Sequence, residues 1–175
     1  MNDAQVKFDI QKLKWMNGEY IMRKKAEELL PLIKDRLFAA GMELFVKSDD
    51  YLLRLIDLYK IRIKTLLEFI DLTESFFRDD YSFDKEGKKD YLGRKENKQN
   101  IKLFADCLEE LEDFKKENIE KTCRSLAEQR GIKAADMIHP TRVAITGRTR
   151  GAGLFEVMEI LGKKKVLERM RKAAK

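Results

Sequence analysis

Turn-forming residues are scarce in this chain of 175 residues, which has nine glycines and two prolines. All-β domains usually need more of both at their turns. Apolar residues make up 43% of the chain and charged residues 39%, so a hydrophobic core can form beneath a highly charged surface. The length fits one domain of ordinary size or two small ones. The composition therefore predicts an all-α protein.

Residues that bind metals or act as catalytic bases are also few. The two cysteines, Cys107 and Cys123, occur in segments with helical spacing and have no metal-binding residues beside them, which predicts reduced thiols in a protein core. The one histidine, His139, precedes Pro140 and is expected at a turn or at the start of a helix. No glycine-rich phosphate loop of Walker or Rossmann spacing occurs. We therefore expect neither a catalytic residue nor a metal site in this chain.

Long apolar segments are missing as well. No run approaches the roughly 20 residues that span a bilayer. The first residues also lack the pattern of a signal peptide. Both features predict a cytoplasmic protein that does not bind membranes.

Positive charge is concentrated near the C-terminus. The formal net charge is +6 for the whole chain. Residues 141–175 contain ten Lys and Arg and three Asp and Glu, a net charge of +7, which leaves −1 for the remainder. Such a basic end is expected where a protein contacts a polyanion, but a solvated basic helix has the same composition.

Apolar residues recur at helical spacing along most of the chain. The clearest stripe predicts one amphipathic helix, or two in sequence, ending near Phe77. Its members are Leu52, Ile56, Tyr59, Ile63, Leu66 and Ile70. Residues 8–37 indicate two helical pieces that begin with Asp9 as N-cap and are separated by a break at Trp15–Gly18. Further helices are predicted at Ile101–Leu111, Ile119–Leu126, Phe155–Leu161 and Val166–Met170.

The segment 78–100 differs from the rest in being polar, with two glycines and few aliphatic residues. Such a composition indicates a connector between two helical parts. We therefore predict a first subdomain at residues 1–83 and a second at residues 84–175.

Two places combine positive charge with an unusual position. Residues 147–153 (GRTRGAG) join three glycines, which allow close approach of a partner, to Arg148 and Arg150. A helix starting near Leu154 would direct free N–H groups toward a phosphate there, and a tight turn with exposed arginines is the alternative. On an ideal helix Arg62 lies about 60° from Tyr59, where an arginine usually extends along the core edge with its head in water.

Two longer strings resemble one enzyme family, the bacterial-type glutamyl-tRNA synthetases. KFDIQKLKWMNGEYI (Lys7–Ile21) resembles the segment that leads out of their catalytic half, and HPTRVAITGRTRGAGLFEVMEILGKKKVLERMRKA (His139–Ala173) resembles their C-terminal end. Both occur in the family's order and spacing, so the resemblance covers essentially the whole chain. It implies two consecutive helical anticodon-binding subdomains, a helix bundle followed by a cage-like helical domain.

The resemblance also implies a division of labour. The full enzyme would join glutamate to its tRNA with ATP and magnesium through an N-terminal Rossmann-type catalytic domain. Neither the HIGH-type nor the KMSKS-type element of that domain occurs in these 175 residues. The chain is therefore expected to bind the anticodon loop of glutamate tRNA, to contact its own catalytic domain as a monomer, and to catalyse nothing and hold no cofactor itself.

The family pattern can be carried over to particular residues. Arg62, in KIRIKTLLEF, matches an arginine that contacts the anticodon, and Gly151, Ala152 and Leu154 occupy positions that approach the anticodon loop. Bulkier residues or proline are common where Gly151 and Ala152 stand. The remaining candidates, which we expect to bind phosphates, are Arg148, Arg150 and Arg169.

Two other functions fit the residues alone. A non-specific basic helical nucleic-acid binder would have equal affinity for any RNA of similar charge. A helical protein-interaction module would have a large exposed apolar stripe and no affinity for tRNA.

Overall fold

A computed structural model describes residues 9–42, 46 and 48–175, and within these ranges the regular structure is helical, with no β-strand. The all-α prediction is therefore confirmed. The chain divides into two compact units, Met1–Asp71 and Leu72–Lys175. The boundary predicted between residues 83 and 84 falls inside the second of these units.

The first unit is built from helices α1 (Ile10–Arg23), α2 (Ala26–Ala39) and α3 (Asp49–Tyr59). A 3₁₀ turn, Lys60–Arg62, follows α3, and α4 (Leu66–Phe77) begins in this unit and continues into the second. Helix α2 packs against α3, and α1 packs against the 3₁₀ turn.

The core of the first unit confirms the predicted apolar stripe. Leu52 and Ile56 on α3 are fully buried, and the rings of Tyr59 and Phe69 of α4 meet edge to face at 6.3 Å between centroids. The stripe therefore belongs to two helices in sequence, and the second ends at Phe77. Asp9 caps α1 as predicted, since its carboxylate accepts hydrogen bonds from two backbone N–H groups of the first turn.

The break predicted at Trp15–Gly18 is wrong, because α1 is continuous through these residues. A Cβ at Gly18 would lie 3.3 Å from Lys64 Cγ and 3.5 Å from the Ile63 carbonyl oxygen. Glycine here thus serves close packing within the unit. Asn17 donates a hydrogen bond to the Lys64 carbonyl at the same contact. Lys7 and Phe8 of the family-like string lie outside the described residues.

The second unit contains the end of α4 and six further α-helices. Helix α6 packs against α8 and α10, and α7 packs against α8 and α9. The bounds are α5 Lys85–Gly87, a π-helical turn Lys88–Leu92, α6 Lys95–Glu109, α7 Lys116–Gln129, α8 Ala134–Thr146, α9 Leu154–Leu161 and α10 Lys163–Ala173. The helices predicted from apolar spacing at α6, α7, α9 and α10 are therefore confirmed.

The segment 78–100 is not a free connector, since its first residues pack within the second unit. The Tyr81 hydroxyl donates a 2.7 Å hydrogen bond to the Ala144 carbonyl, and burial raises the pKa of Tyr81 to about 12. The Asp84 N–H donates to the Gly147 carbonyl at 2.8 Å. The polar composition does not predict these contacts, because they use backbone atoms and the single aromatic side chain of Tyr81.

Helix α8 was not predicted, because the His139–Pro140 pair indicated a turn or a helix start. Pro140 instead lies in the middle of α8 and is buried. Its missing N–H removes one helical hydrogen bond. The buried face of the helix, with Met137 and Val143 at 1% and 0% exposure, offsets that loss. His139 is exposed, and its ring lies 5.7 Å from that of Tyr91.

Both cysteines are free thiols, but Cys107 is only partly buried and so does not lie in the core as predicted. Cys123 is buried, and burial raises the pKa of its thiol to about 11. The thiol is therefore a core group that stays protonated and unreactive at neutral pH.

Candidate nucleic-acid interface

Arg62 lies at the end of the 3₁₀ turn that follows α3, and not within an α-helix as the ideal-helix argument assumed. Helix α3 ends at Tyr59, and the carbonyls of its last turn need partners outside the helix. The Arg62 guanidinium supplies one, donating a 2.7 Å hydrogen bond from Nη1 to the Leu58 carbonyl.

The Arg62 side chain is exposed, and among the described residues its guanidinium makes this one hydrogen bond. A guanidinium carries five N–H donors in a planar fork, so most of them remain available. Such a group can form paired hydrogen bonds with a base edge or stack on a base. The geometry therefore suits contact with an unpaired nucleotide.

The loop 147–153 of the second unit starts with a residue that must be glycine. Gly147 ends α8 with φ at +72°, a left-handed conformation that side chains disfavour. A Cβ there would also lie 2.1 Å from the Ser82 carbonyl oxygen. The backbones of Gly147 and Ser82 thus touch, and this contact fixes where the loop leaves the helix.

Arg148 is held within the protein and does not project to solvent. Its guanidinium donates to the Ser82 carbonyl and hydroxyl at 3.2 and 3.0 Å. It also forms ion pairs with Glu74 at 3.2 Å and Asp84 at 3.7 Å, and its side chain is 16% exposed. The expected role as a phosphate ligand is therefore replaced by one in anchoring the loop.

The rest of the loop is fixed by two more attachments. The Thr149 N–H and hydroxyl both donate to the Asp84 carboxylate, at 2.9 and 3.1 Å. Arg142 of α8 donates from Nη1 to the Ala152 carbonyl at 2.6 Å. Arg142 was not singled out from the sequence, and only the folded loop reveals its part in positioning. These bonds make the loop a fixed surface.

The three loop residues carried over from the family differ in what they expose. Ala152 and Leu154 are buried, at 0% and 3% exposure, so their side chains cannot contact a partner. Gly151 is half-buried and offers backbone alone. If this loop meets RNA, shape and backbone make the contact at these positions.

Arg150 is the arginine of the loop that remains accessible. Its side chain is exposed and has no hydrogen bond or ion pair within the ranges that the structure describes. Arg148 and Thr149, the two residues before it, are anchored to the segment 82–84. Arg150 therefore fits the predicted phosphate contact.

The N-terminus of α9 does not offer the phosphate site suggested by the sequence. The Glu156 carboxylate folds back against Gly153, where a Cβ would lie 2.1 Å from Oε2. Glu156 also lies 3.7 Å from the Lys116 ammonium. A phosphate at this helix end would have to displace a carboxylate that already occupies the positive end of the helix dipole.

Arg169 is buried, which corrects its prediction as a phosphate contact. It is 6% exposed and donates to the carbonyls of Ile145, Ser75 and Arg78 at 2.7, 2.8 and 3.2 Å. It also pairs with Asp79 at 2.8 Å and lies 4.5 Å from the centre of the Tyr81 ring. The hydrogen bonds from Arg169, and then from Lys165, hold the pKa of Asp79 below its usual range.

Of the four arginines predicted to contact RNA, Arg62 in the first unit and Arg150 in the second are exposed, whereas Arg148 and Arg169 are held within the protein. A sequence profile of the anticodon binding domain family matches residues 24–174. The chain belongs to this family.

The relatives of the chain confirm its resemblance to glutamyl-tRNA synthetases. The glutamate–tRNA ligase 2 of Caldicellulosiruptor saccharolyticus is 38% identical over 165 residues, which is 94% of this chain and 34% of that protein. The glutamate–tRNA ligase of Bacillus subtilis is 31% identical over 167 residues, again 94% and 34%. The chain therefore spans about a third of the length of these relatives.

A solved structure agrees in fold. The crystal structure of a glutamate tRNA ligase from Elizabethkingia meningosepticum, in complex with its amino acid, has a TM-score of 0.82 and 28% sequence identity with this chain. The similarity covers 95% of this chain and 32% of that one. The predicted helical anticodon-binding fold is therefore confirmed.

Proposed function

We propose that this chain recognises the anticodon loop of glutamate tRNA as part of a glutamyl-tRNA synthetase. The observation that carries the proposal is the family match over residues 24–174, which includes both Arg62 and the loop 147–153. Arg62 would read an anticodon base, while Arg150 and the backbone at Gly151 would contact the loop. The names of the relatives supply the amino acid and the tRNA.

The longer protein would ligate glutamate to this tRNA. The ATP and magnesium for that reaction are assigned to a catalytic domain outside this chain. Within the described ranges no group of three or more His, Cys, Asp or Glu could hold a metal ion, and no helix is long and apolar enough to cross a membrane. We place the protein in the cytoplasm as a monomer.

The apolar face of α1 supports contact with that catalytic domain. Helix α1 buries Ile21 alone and exposes six large apolar side chains. Ile10, Leu13, Met16 and Tyr20 form the apolar face, and Trp15 and Met22 lie on another side of the helix. Monomers rarely leave so much apolar surface in contact with water. Because the relatives are about three times as long as this chain, we assign the face to the remainder of the polypeptide.

Arg62→Ala tests the proposal most directly. The change should weaken binding to glutamate tRNA by about 1–3 kcal/mol, the usual range for a lost guanidinium–base contact. Binding to an anticodon-substituted tRNA should change much less, because that contact is already poor. The measurement is a pair of dissociation constants at one salt concentration.

Two variants separate base reading from charge. Arg62→Lys keeps the positive charge but loses the planar fork, so it should recover little of the lost preference. Arg36→Ala removes another exposed arginine of the first unit and should affect both tRNAs slightly and equally. If the wild-type chain binds all RNAs of similar charge equally, it is a non-specific binder, and if it binds none, it is a protein-interaction module.

Arg150→Gln should change the salt dependence of RNA binding, whereas Arg148→Gln should change the stability of the protein. Losing the exposed Arg150 should reduce the slope of log affinity against log salt by roughly 0.7–0.9, with an unchanged melting temperature. Losing Arg148 should lower the free energy of unfolding by about 1–3 kcal/mol, because its ion pairs and carbonyl contacts are partly buried. Salt titrations and thermal unfolding of both variants check this assignment, and equal melting temperatures would contradict it.

A further inference from the structure

Two adjoining grooves on the second unit are lined by lysines. One encloses about 320 Å³ and the other about 700 Å³, and both include Lys98 and Lys175 in their walls. Six lysines contribute to the two grooves, and together they form what is called here the lysine surface: Lys88, Lys95, Lys98, Lys102, Lys172 and Lys175.

These lysines come from the π-helical turn, from α6, and from α10 with the residues that follow it. Lys95, Lys98 and Lys102 are spaced three and four residues apart on α6, so they lie along one face of that helix. Helix α10 packs directly against α6 and brings Lys172 beside them. Net charge by segment did not reveal the four lysines before residue 141, because acidic residues of the same segment cancel them in the sum.

The positive charge of the lysine surface is barely neutralised. Within the described ranges none of the six ammonium groups forms an ion pair, and that of Lys88 lies 5.4 Å from the centre of the Phe83 ring. Of the two carboxylates in the groove walls, Asp79 is already paired with Arg169 and Lys165. Glu168 is the other carboxylate of these walls. Like charges held together in this way favour a polyanionic ligand.

The lysine surface begins next to the loop 147–153. The Asp84 carboxylate binds Thr149, and the Asp84 carbonyl accepts the N–H of Lys88 at 2.8 Å. Gly87 packs so closely on Thr149 that a Cβ would lie 2.5 Å from its methyl group. A nucleic acid in contact with Arg150 therefore has the lysine surface close by.

We propose that the lysine surface binds the sugar–phosphate backbone of the tRNA stem that adjoins the anticodon loop. The inference rests on the proposed function and adds where most of the non-specific affinity arises. Ammonium groups bind phosphates as point charges and carry no base information. The lysine surface thus holds the tRNA in register while Arg62 reads it.

The test is a salt titration of tRNA binding by Lys95→Gln/Lys98→Gln/Lys102→Gln. Each lost phosphate contact removes roughly 0.7–0.9 from the slope of log affinity against log salt, so the triple variant should lose about 2. Affinity near 0.1 M salt should fall roughly tenfold or more, equally for glutamate tRNA and an anticodon-substituted tRNA. The ratio of the two affinities should stay at its wild-type value.

The matched control is Lys115→Gln/Lys121→Gln/Lys164→Gln, which removes the same charge from exposed lysines outside both grooves. It should leave the slope within about one contact of wild type. If both triple variants lose the same amount of slope, or if the first keeps the wild-type slope, the inference about the lysine surface is overturned. The proposed function would still stand if the wild-type chain prefers glutamate tRNA. If the wild-type chain does not prefer glutamate tRNA, the proposed function is overturned instead. A loss of slope in the first triple variant alone would still show that the lysine surface binds polyanions.

Discussion

Arg169→Met is expected to destabilise the second unit by about 3–5 kcal/mol, because buried backbone carbonyls lose their hydrogen-bond donor. For a unit of about 100 residues this corresponds to a fall in melting temperature of roughly 12 °C or more. Thermal or urea unfolding of the purified chain measures the effect. The change also removes a positive charge from the basic C-terminal region, so tRNA binding is compared only under conditions where the variant is folded.

The size of this effect follows from what Arg169 satisfies. Three backbone carbonyls, those of Ser75, Arg78 and Ile145, accept its hydrogen bonds. Each buried carbonyl that loses its donor costs about 1–3 kcal/mol, and methionine fills the volume without replacing a donor. The guanidinium also joins the end of α4, the segment after it and the end of α8, so its loss loosens all three.

Arg171→Met is the control, with the same substitution two residues further along α10. Arg171 and its partner Glu109 are about half exposed, so solvent screens their ion pair and the change should lower the melting temperature far less than Arg169→Met does. A second readout is Asp79, whose lowered pKa should return toward the ordinary value in Arg169→Met. Unchanged stability combined with a smaller salt slope would restore Arg169 as a phosphate contact.

The basic residues show what the sequence could and could not predict. Composition located positive charge at the C-terminal end, and Arg62 and Arg150 are exposed as expected. Arg148 and Arg169 have the same side chain but point inward, because carbonyls and carboxylates of residues 74–84 meet them only after folding. The identity of a residue does not reveal which partners the distant chain will supply.

The helices show the same limit from the opposite side. Apolar spacing of three and four residues predicted α3, α4, α6, α7, α9 and α10, because their buried faces are continuous stripes. It failed at Gly18 and Pro140, where a local preference against helix is overcome by packing. Gly18 packs against Lys64, and Pro140 lies on the buried face of α8. The Gly18 contact joins residues far apart in the sequence, and the burial of Pro140 depends on the tertiary core, so neither can be predicted from local sequence.

Gly147→Ala should also be strongly destabilising, by about 3 kcal/mol or more. The left-handed backbone at φ +72° costs an alanine about 1–2 kcal/mol. The new methyl group would lie 2.1 Å from the Ser82 carbonyl oxygen, so one of the two backbones must also move. Ser82 in turn accepts a hydrogen bond from Arg148, and its displacement would release the loop that carries Arg150.

Gly131→Ala separates the two contributions. Gly131 follows α7 with φ at +64°, and no atom lies within 4 Å of the position that a Cβ would take. This variant should therefore show the conformational cost alone, about 1–2 kcal/mol. The excess loss in Gly147→Ala, measured by urea unfolding of both proteins, then reports the contact with Ser82. If both variants lose the same free energy of unfolding, the Ser82 backbone moves away from the new methyl group at no measurable cost. In that case tRNA affinity should also be unaffected, since the loop would keep its attachment through Arg148 and Thr149.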